Sequence, residues 1–472
     1  MQVFGAQGDP APTHHRDTIL YLLAIAVVGA FLWFLLGDFV QTMAGTIFIA
    51  TVLGTLAFWR FRLAIAFGGI CVLLATQTLN VEHMLAFMNL DVILFLISMM
   101  IVVYIANESG FFTWLLGKIL KATKYDPKKV MIILLMLSTF MAALVDEVTS
   151  ILFITALVFE YCQYFDIDPL PFVISCVLAT NIGSGATMLG NPVGILIGLR
   201  AGLTFEDFIL FATPVVAVSL IALILICTFW YRKPLAEYKA MVTQRLSEGG
   251  SEVFEVIAED KVRGMKLSGV LLFATIAGVA AHYRIEVALG MAVYTYLFVA
   301  VFAGAALGLL WKRSHAQKIV EKGVDWWTLL FFMFLFAKAG ALSYTGLTDL
   351  LASAISGIAT SPTQITAFLL WFSGLASSML DNVVLVAALI PVVESLIHLG
   401  FSGPPLWWAL LFGGVFGGNI TMIGSTANIV ALGMLEKKFN YHMRFFRWLW
   451  IGLLGGLVPM LIGQIYLILL FH

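Results

Sequence analysis

Most of this chain consists of apolar runs of about 20 residues, the length that a helix needs to cross a lipid bilayer. Of the 472 residues, 61% are hydrophobic and only 11% are charged. A soluble domain is about 25% charged, so this chain has too few polar residues to cover itself with a surface that water can solvate. The sequence therefore predicts an all-α polytopic membrane protein.

The apolar pattern predicts eleven transmembrane helices, at roughly 18–37, 41–58, 61–79, 91–107, 169–201, 206–231, 266–282, 287–311, 325–345, 404–435 and 443–470. Two of them, 169–201 and 404–435, are long and interrupted. Two further stretches, 129–163 and 363–398, are each split by a polar pair into halves of about 16 residues. Such short halves favour re-entrant hairpins, which enter and leave the membrane on one side.

The distribution of Lys and Arg predicts the orientation. With a cytoplasmic N-terminus and two re-entrant hairpins, only Arg200 and Arg284 of the 26 Lys and Arg residues fall outside, and Lys338 alone lies within a span. The segment 346–362 has neither residue type and is predicted to be a loop outside the cell. We therefore expect a location in the inner (plasma) membrane, with the C-terminus outside.

The chain also repeats itself at an offset of about 235 residues. Asp146-Glu147-Val148 matches Asp381-Asn382-Val383, and 187–191 matches 421–425. Each copy has five crossings and one hairpin, so the second copy is predicted to be inverted, an arrangement typical of secondary transporters. The predicted organisation is an N-terminal tail and extra helix (1–40), a first inverted repeat (41–231), a cytoplasmic linker (232–265) and a second inverted repeat (266–472).

Four irregular segments are predicted at membrane depth, where backbone must be buried or line a watery cavity. They are the hairpin tips at Asp146 and Asp381 and the helix breaks at 181–192 and 413–428. Half-helix N-termini attract anions, and Ser, Thr and Asn oxygens can coordinate sodium. The candidate substrate- and ion-binding residues are Asp146, Glu147, Asn181, Ser184, Thr187, Asn191, Asp381, Asn382, Asn419, Thr421, Ser425, Thr426 and Asn428. Sodium is expected at Asn181, Asn191, Asn419 and Asn428.

Ionisable residues at membrane depth are functional by default, so Asp146, Asp381 and Lys338 are predicted to couple transport to an ion. In this hypothesis Lys338 pairs with a tip carboxylate in one access state. The alternatives are an N-cap role for the two Asp residues and a structural ion pair for Lys338. No cofactor is expected beyond a coupling proton or sodium ion, and the absence of HExxH and GxSxG motifs argues against an enzyme.

The two breaks resemble a known family. Thr180–Pro192 is similar to the "TNIGGAATAIGDPPN" stretch of the ion transporter superfamily, and Gly417–Asn428 to its "GGNGTLIGASAN". Leu380-Asp381-Asn382 matches the "LDN" of its second hairpin. The likeness is strongest to the ArsB/NhaD group with its P-protein-like members. The family's "GDPPN" is Gly190–Gly194 here and lacks the acidic residue, whereas the first "DN" is Asp146-Glu147.

The resemblance implies two re-entrant hairpins, two broken helices and a homodimer. It marks Asn181, Thr187, Asp381, Asn382, Thr421, Ser425 and Asn428 as site residues. It implies carrier-type ion transport, and the carboxylates at membrane depth favour proton coupling. The predicted function is therefore proton-coupled efflux of arsenite, antimonite or another small inorganic ion by alternating access. Sodium–proton antiport and sodium-coupled carboxylate or anion symport are alternatives, and an ion channel is the alternative of another class. The expected partners are a small ion or anion, the bilayer and, for an ATP-driven exporter, a peripheral ATPase; no nucleic acid is expected.

Overall fold

The structure is a computed structural model that describes residues 15–112, 123–247, 259–358 and 361–471. Every regular element in these ranges is helical, in agreement with the predicted all-α class. The tail up to residue 14 and Gly249-Gly250-Ser251 of the predicted linker lie outside the described residues.

Twenty-one helices occupy the described residues. The first ten are α1 (His15–Leu36), α2 (Phe39–Ala57), α3 (Arg62–Ala75), α4 (Val81–Phe87), α5 (Leu90–Glu108), α6 (Pro127–Leu144), α7 (Glu147–Phe165), α8 (Leu170–Ser184), α9 (Pro192–Ala201) and α10 (Phe205–Trp230). The others are α11 (Arg232–Ser247), α12 (Glu259–Leu289), α13 (Thr295–Trp311), α14 (Ala316–Gly323), α15 (Trp326–Tyr344), α16 (Leu347–Ile358), α17 (Pro362–Ser377), α18 (Asn382–His398), α19 (Gly403–Gly417), α20 (Thr426–Phe439) and α21 (Phe445–Phe471).

Matched start signals begin the two helical hairpins. Asp126-Pro127 opens α6, where the Asp side chain accepts a hydrogen bond from the Lys129 amide at 3.1 Å. Ser361-Pro362 opens α17 and forms a capping box with Gln364. A capping side chain satisfies an orphan amide, and Pro has no amide to leave unsatisfied in the first turn. The two copies of the repeat therefore begin their hairpins by the same local chemistry.

All four predicted interruptions separate two helices. Val145 and Asp146 lie between α6 and α7, and residues 378–381 lie between α17 and α18. Residues 185–191 separate α8 from α9, and residues 418–425 separate α19 from α20. Each of the two long predicted spans is thus a pair of short helices.

The number of spans differs from the predicted eleven. In the described residues, nine helices are long and apolar enough to cross a membrane, or ten if the bent pair Thr295–Trp311 and Arg313–Gly323 forms one span. The span predicted at 61–79 is a helix of only 14 residues. The arms α6 and α7 have 18 and 19 residues and pass the length requirement, although they were predicted to be marginal.

The chain forms two compact units. The first comprises residues 1–90 and 326–354, and its described part holds α1 to α4, α15 and most of α16. Within it, α15 packs against α2, α3 and α4. The core of this packing contains Ile70 and Leu73 of α3 together with Ala337 and Ala341 of α15.

The second unit comprises residues 91–325 and 355–472 and contains both hairpins and both breaks. Its packing is matched between the two copies: α6 packs on α8, and α17 packs on α19. It is also reciprocal, because α9 packs on α18 of the second copy while α20 packs on α7 of the first. In each of these contacts, a helix that follows a break (α9 or α20) packs on a helix that follows a tip of the other copy (α18 or α7).

Two segments predicted to be irregular contain helices. The predicted linker begins with α11, whose Leu235, Tyr238 and Val242 are buried and whose Lys239 lies 3.6 Å from Asp126. The predicted loop at 346–362 contains α16. In each case apolar residues at helical spacing can cover a neighbouring surface, which a charge count does not reveal.

Candidate ion-binding site

The two tip aspartates cap the helices that follow them. Asp146 Oδ1 accepts hydrogen bonds from the amides of Val148 and Thr149 at 2.9 and 3.0 Å. Asp381 Oδ1 accepts one from the Val383 amide at 3.0 Å. The predicted alternative, an N-cap on each tip, is therefore present, and a cap leaves room for an additional role.

Asp381 also reaches the second break. Its Oδ2 accepts a hydrogen bond from Thr426 Oγ1 at 2.7 Å, at the first residue of α20. Each break is further bonded to the preceding hairpin arm, since the Thr187 hydroxyl donates to the Ala143 carbonyl and the Thr421 hydroxyl donates to the Ser378 carbonyl. The bond between a break and the preceding hairpin arm is thus the same in both copies.

Glu147 and Asn382, the residues that follow the tip aspartates, face a different environment. Their side chains are only 2% and 1% exposed. Ser184 and Asn382 both lie against the Glu147 carboxyl group. Within the described residues, Glu147 Oε2 and Asn382 Oδ1 have no hydrogen-bond partner. Buried acceptors without a donor are unfavourable, so this point suits a bound proton or small cation.

One helical turn from Glu147 and from Ser184, two more buried hydroxyl oxygens lack a partner among the described residues. Ser150 lies one turn after Glu147 in α7, and Thr180 lies one turn before Ser184 in α8. Residues three or four apart share a helix face, so the two hydroxyls lie on the faces that carry Glu147 and Ser184. The sequence analysis did not select them, although their helical spacing from selected residues was the available signal.

The two breaks are connected by a buried amide network, the asparagine latch, which consists of Asn181, Asn419, Ser425 and Asn428. Asn181 Nδ2 donates to Asn419 Oδ1 and to Asn428 Oδ1, both at 2.8 Å. Asn181 Oδ1 accepts from Ser425 Oγ at 3.0 Å. One residue of the first break therefore contacts three residues of the second.

The remaining donors of the latch bond the main chain. Asn419 Nδ2 donates to the carbonyls of Leu178 and Gly455 at 3.1 and 2.9 Å. Asn428 Nδ2 donates to the carbonyls of Gly418 and Thr421, both at 2.8 Å. All six amide N–H groups of the three asparagines thus have acceptors, and a network satisfied to this degree rigidifies its surroundings.

Asn191 belongs to the first break alone. Its Oδ1 accepts from the Gly194 amide at 2.7 Å and caps α9. Its Nδ2 donates to Ser184 Oγ at 2.8 Å, and Ser184 Oγ donates to the Asn181 carbonyl at 2.9 Å. The four amide oxygens predicted to hold sodium therefore all accept hydrogen bonds from protein groups.

A glycine at each break permits the close packing of helices. A methyl group on Gly183 would overlap the main chain of Thr139 in α6. At the matching position, a methyl group on Gly417 would overlap the main chain of Gly374 in α17. Only glycine can bring these backbones into contact, which holds each break against its hairpin arm.

Residues 47–413 match the family model described as CitMHS, citrate transporter. The chain belongs to the CitMHS family. It is accordingly a multi-pass membrane transporter and not an enzyme, as the sequence predicted, and its predicted kinship with P-protein-like ion transporters is confirmed.

Relatives of this CitMHS chain include proteins named as transporters. An uncharacterized transporter of Mycobacterium tuberculosis is 32% identical over 383 residues, which cover 80% of this chain and 85% of that protein. The human P protein is 27% identical over 466 residues, which cover 82% of this chain but only 54% of that protein. In fold, the chain resembles the YdaH transporter of Alcanivorax borkumensis, with a TM-score of 0.51, 18% identity and coverage of 85% and 88%.

Lys338 of the CitMHS chain lies in the first unit. It is fully buried, and its Nζ donates to Thr51 Oγ1 at 2.8 Å. Thr51 Oγ1 donates in turn to the Ile47 carbonyl, and Gly69 leaves the space that the Lys338 ammonium occupies. Asp146 and Asp381 belong to the second unit, so the pairing of Lys338 with a tip carboxylate stays a prediction.

Proposed function

We propose that this CitMHS chain is a proton-coupled secondary transporter of a small ion that works by alternating access. The buried Glu147 carboxyl group, with an oxygen that has no donor among the described residues, is the observation that carries the proposal. An ionised carboxylate in such a place is costly unless a proton or cation binds it. Binding and release at Glu147 would therefore change the relative energies of two access states.

The proposal includes the topology expected from the sequence: eleven spans, two re-entrant hairpins and two inverted repeats, with a cytoplasmic N-terminus. The matched and reciprocal packing of the two copies supports it. A homodimer and a peripheral ATPase, which the family resemblance implied, are further expectations.

The proton is preferred over sodium as the coupling ion. Sodium needs several oxygen ligands, and the amide oxygens of Asn181, Asn191, Asn419 and Asn428 already accept hydrogen bonds. Glu147 needs only one proton to satisfy its free oxygen. Sodium–proton antiport is the alternative, with sodium held by Glu147 and the free Asn382 oxygen.

For the substrate, two classes compete. The description of the family model favours a small carboxylate such as citrate. Because Asp381 and Glu147 would repel such an anion, a carboxylate would be carried together with protons. Efflux of arsenite or antimonite in exchange for protons is the other class, because arsenite is a small and largely neutral solute at the same polar centre.

A flux assay tests the proposal. Purified protein is reconstituted in proteoliposomes under an imposed pH gradient, and citrate, arsenite and sodium are supplied in separate experiments. Protons should move across the membrane with the solute that the protein carries. Glu147→Gln keeps the shape of the side chain but cannot exchange a proton, so we expect it to abolish proton-coupled flux. Glu160→Gln, on the exposed face of the same helix, is the matched control and should retain flux. Wild-type proton movement in Glu147→Gln would refute the assignment.

A further inference from the structure

A cavity of about 370 Å³ opens where three helices of the second unit meet. It lies at the end of α9, the end of α18 and the start of α19. Its walls include Arg200, Leu203, Glu394, Ile397, His398 and Trp407. Small-molecule sites begin at about 300 Å³, so this cavity, here called the vestibule, is large enough for a compact organic ion.

The vestibule lies at the far end of the helices that begin at the proposed coupling site. Helix α18 starts at Asn382, and Glu394 is 12 residues further along, or about 18 Å at 1.5 Å per residue. Helix α9 runs beside it from Asn191 to Arg200, about 14 Å. The residues between, such as Val193 and Ile197, are apolar and buried. The vestibule thus lies at the outer end of the pair formed by α9 and α18. At the inner end of this pair, α18 begins at the second tip and α9 begins at the first break.

The charges of the vestibule are not paired with one another. Arg200 and His398 both act electrostatically on Glu394. Arg200 is exposed to solvent, and among the described residues no hydrogen bond or ion pair engages its guanidinium. A guanidinium offers five N–H donors in a plane that matches a carboxylate. Free donors in a concave site therefore favour an anionic ligand.

The opposite mouth, meaning the matching region of the other copy at the ends of α7 and α20, is arranged differently. Glu160 matches Glu394 in the repeat, and the aromatic residue that precedes it, Phe159, is in contact with a basic residue: Lys438 Nζ lies 5.4 Å from the centre of the Phe159 ring. Phe159 in turn packs on Phe439, with ring centres 4.9 Å apart. The free guanidinium at Arg200 is thus not a necessary consequence of the repeat.

We propose that the vestibule is an outer subsite that captures a small organic carboxylate before it reaches the tips. Arg200 holds the carboxylate through paired N–H donors, and His398 adds a second donor. Trp407, Ile397 and Leu203 contact the carbon skeleton, which distinguishes the ligand from a hydrated inorganic anion. Glu394 competes with the ligand for Arg200 and so keeps capture reversible. This inference rests on the proposed function, because capture is useful only to a carrier that moves the ligand onward.

A simpler role for Arg200 gives different expectations. A basic residue in the last turn of a helix stabilises the helix dipole, and Glu394 could then act only as a distant counter-charge. In that case the variant Glu394→Gln should leave ligand affinity unchanged. If the vestibule captures a carboxylate, the same variant removes a competing negative charge and should tighten binding.

The test uses citrate and succinate as probes, with transport measured in proteoliposomes and equilibrium binding measured by calorimetry on the same full-length protein. Arg200→Gln should raise KM and the dissociation constant about 5- to 10-fold, the effect of losing one charge-assisted contact, while the maximal rate is kept. Arg200→Lys should restore part of the affinity, and Glu394→Gln should lower both constants. Lys438→Gln, at the opposite mouth, is the matched control and should change neither.

Several results would overturn the inference. They are an unchanged dissociation constant in Arg200→Gln and Arg200→Lys, weaker binding in Glu394→Gln, equal competition by inorganic phosphate, or no binding of either carboxylate to the wild-type protein. If wild-type flux proves independent of the proton gradient, the proposed function fails. The calorimetric comparison of Arg200→Gln with wild type still decides the vestibule in that case.

Discussion

The asparagine latch leads to the sharpest prediction of stability. The variant Asn181→Leu replaces a side chain that is 1% exposed by an apolar one of similar size. It removes both donors that Asn181 provides to Asn419 and Asn428, and the acceptor that it provides to Ser425. Packing is largely kept, so the measured effect reports the hydrogen bonds.

The magnitude follows from the groups left behind. The amide oxygens of Asn419 and Asn428 lose a donor, and the Ser425 hydroxyl loses its acceptor although it still accepts from the Ala427 amide. Each stranded buried polar group costs about 1–3 kcal/mol. After local relaxation we expect a loss of about 3–6 kcal/mol in the free energy of unfolding. At about 2.1 cal/mol/K per residue, a chain of 472 residues has an unfolding entropy of roughly 1 kcal/mol/K. The melting temperature should therefore fall by about 3–6 °C.

The assay is thermal unfolding of purified protein in detergent, with Gln464→Leu as the matched control. Gln464 is also a buried amide, but both of its side-chain polar atoms lack a partner in the described residues. Its replacement should leave the melting temperature unchanged or raise it, because no hydrogen bond is lost. Equal melting temperatures for Asn181→Leu and the wild type, or equal losses in the two variants, would refute the role assigned to the latch.

Two further predictions concern the buried lysine and the topology. Lys338→Met removes a buried ammonium whose one described partner is a hydroxyl. A buried charge without an opposite charge is unfavourable, so thermal unfolding should show that the variant is more stable than the wild type. A loss of stability would instead favour the structural ion pair with a carboxylate. The topology is tested by cysteine labelling in a Cys71→Ser background. Positions 357 and 240 are both exposed, and the Lys and Arg distribution places them on opposite sides of the membrane. A membrane-impermeant maleimide should therefore label Gly357→Cys on intact cells and Ala240→Cys only after lysis. Labelling of both in intact cells would contradict the topology.

Local sequence signals coincide with several of the helix ends in both copies of the repeat. Asp126-Pro127 and Ser361-Pro362 open the hairpins by capping, a chemistry confined to four or five consecutive residues. The Gly- and Asn-rich segments predicted where α8 and α19 end. The predicted number of spans was less accurate, because hydropathy does not show where a helix begins and ends. The span predicted at 61–79 contains the 14-residue helix α3, and the arm α7, predicted to be about 16 residues long, has 19.

The sequence by itself determined the membrane class, the repeat and the residue types that meet at the tips and breaks. These depend on composition, spacing and short-range capping. Only the tertiary structure decided which polar groups satisfy one another. Asn181 bonds Asn419 and Asn428, which are 238 and 247 residues away, whereas Glu147 Oε2 keeps a free oxygen among the described residues. Hydrogen bonding depends on distances of about 3 Å, and the reciprocal packing of the two copies sets those distances.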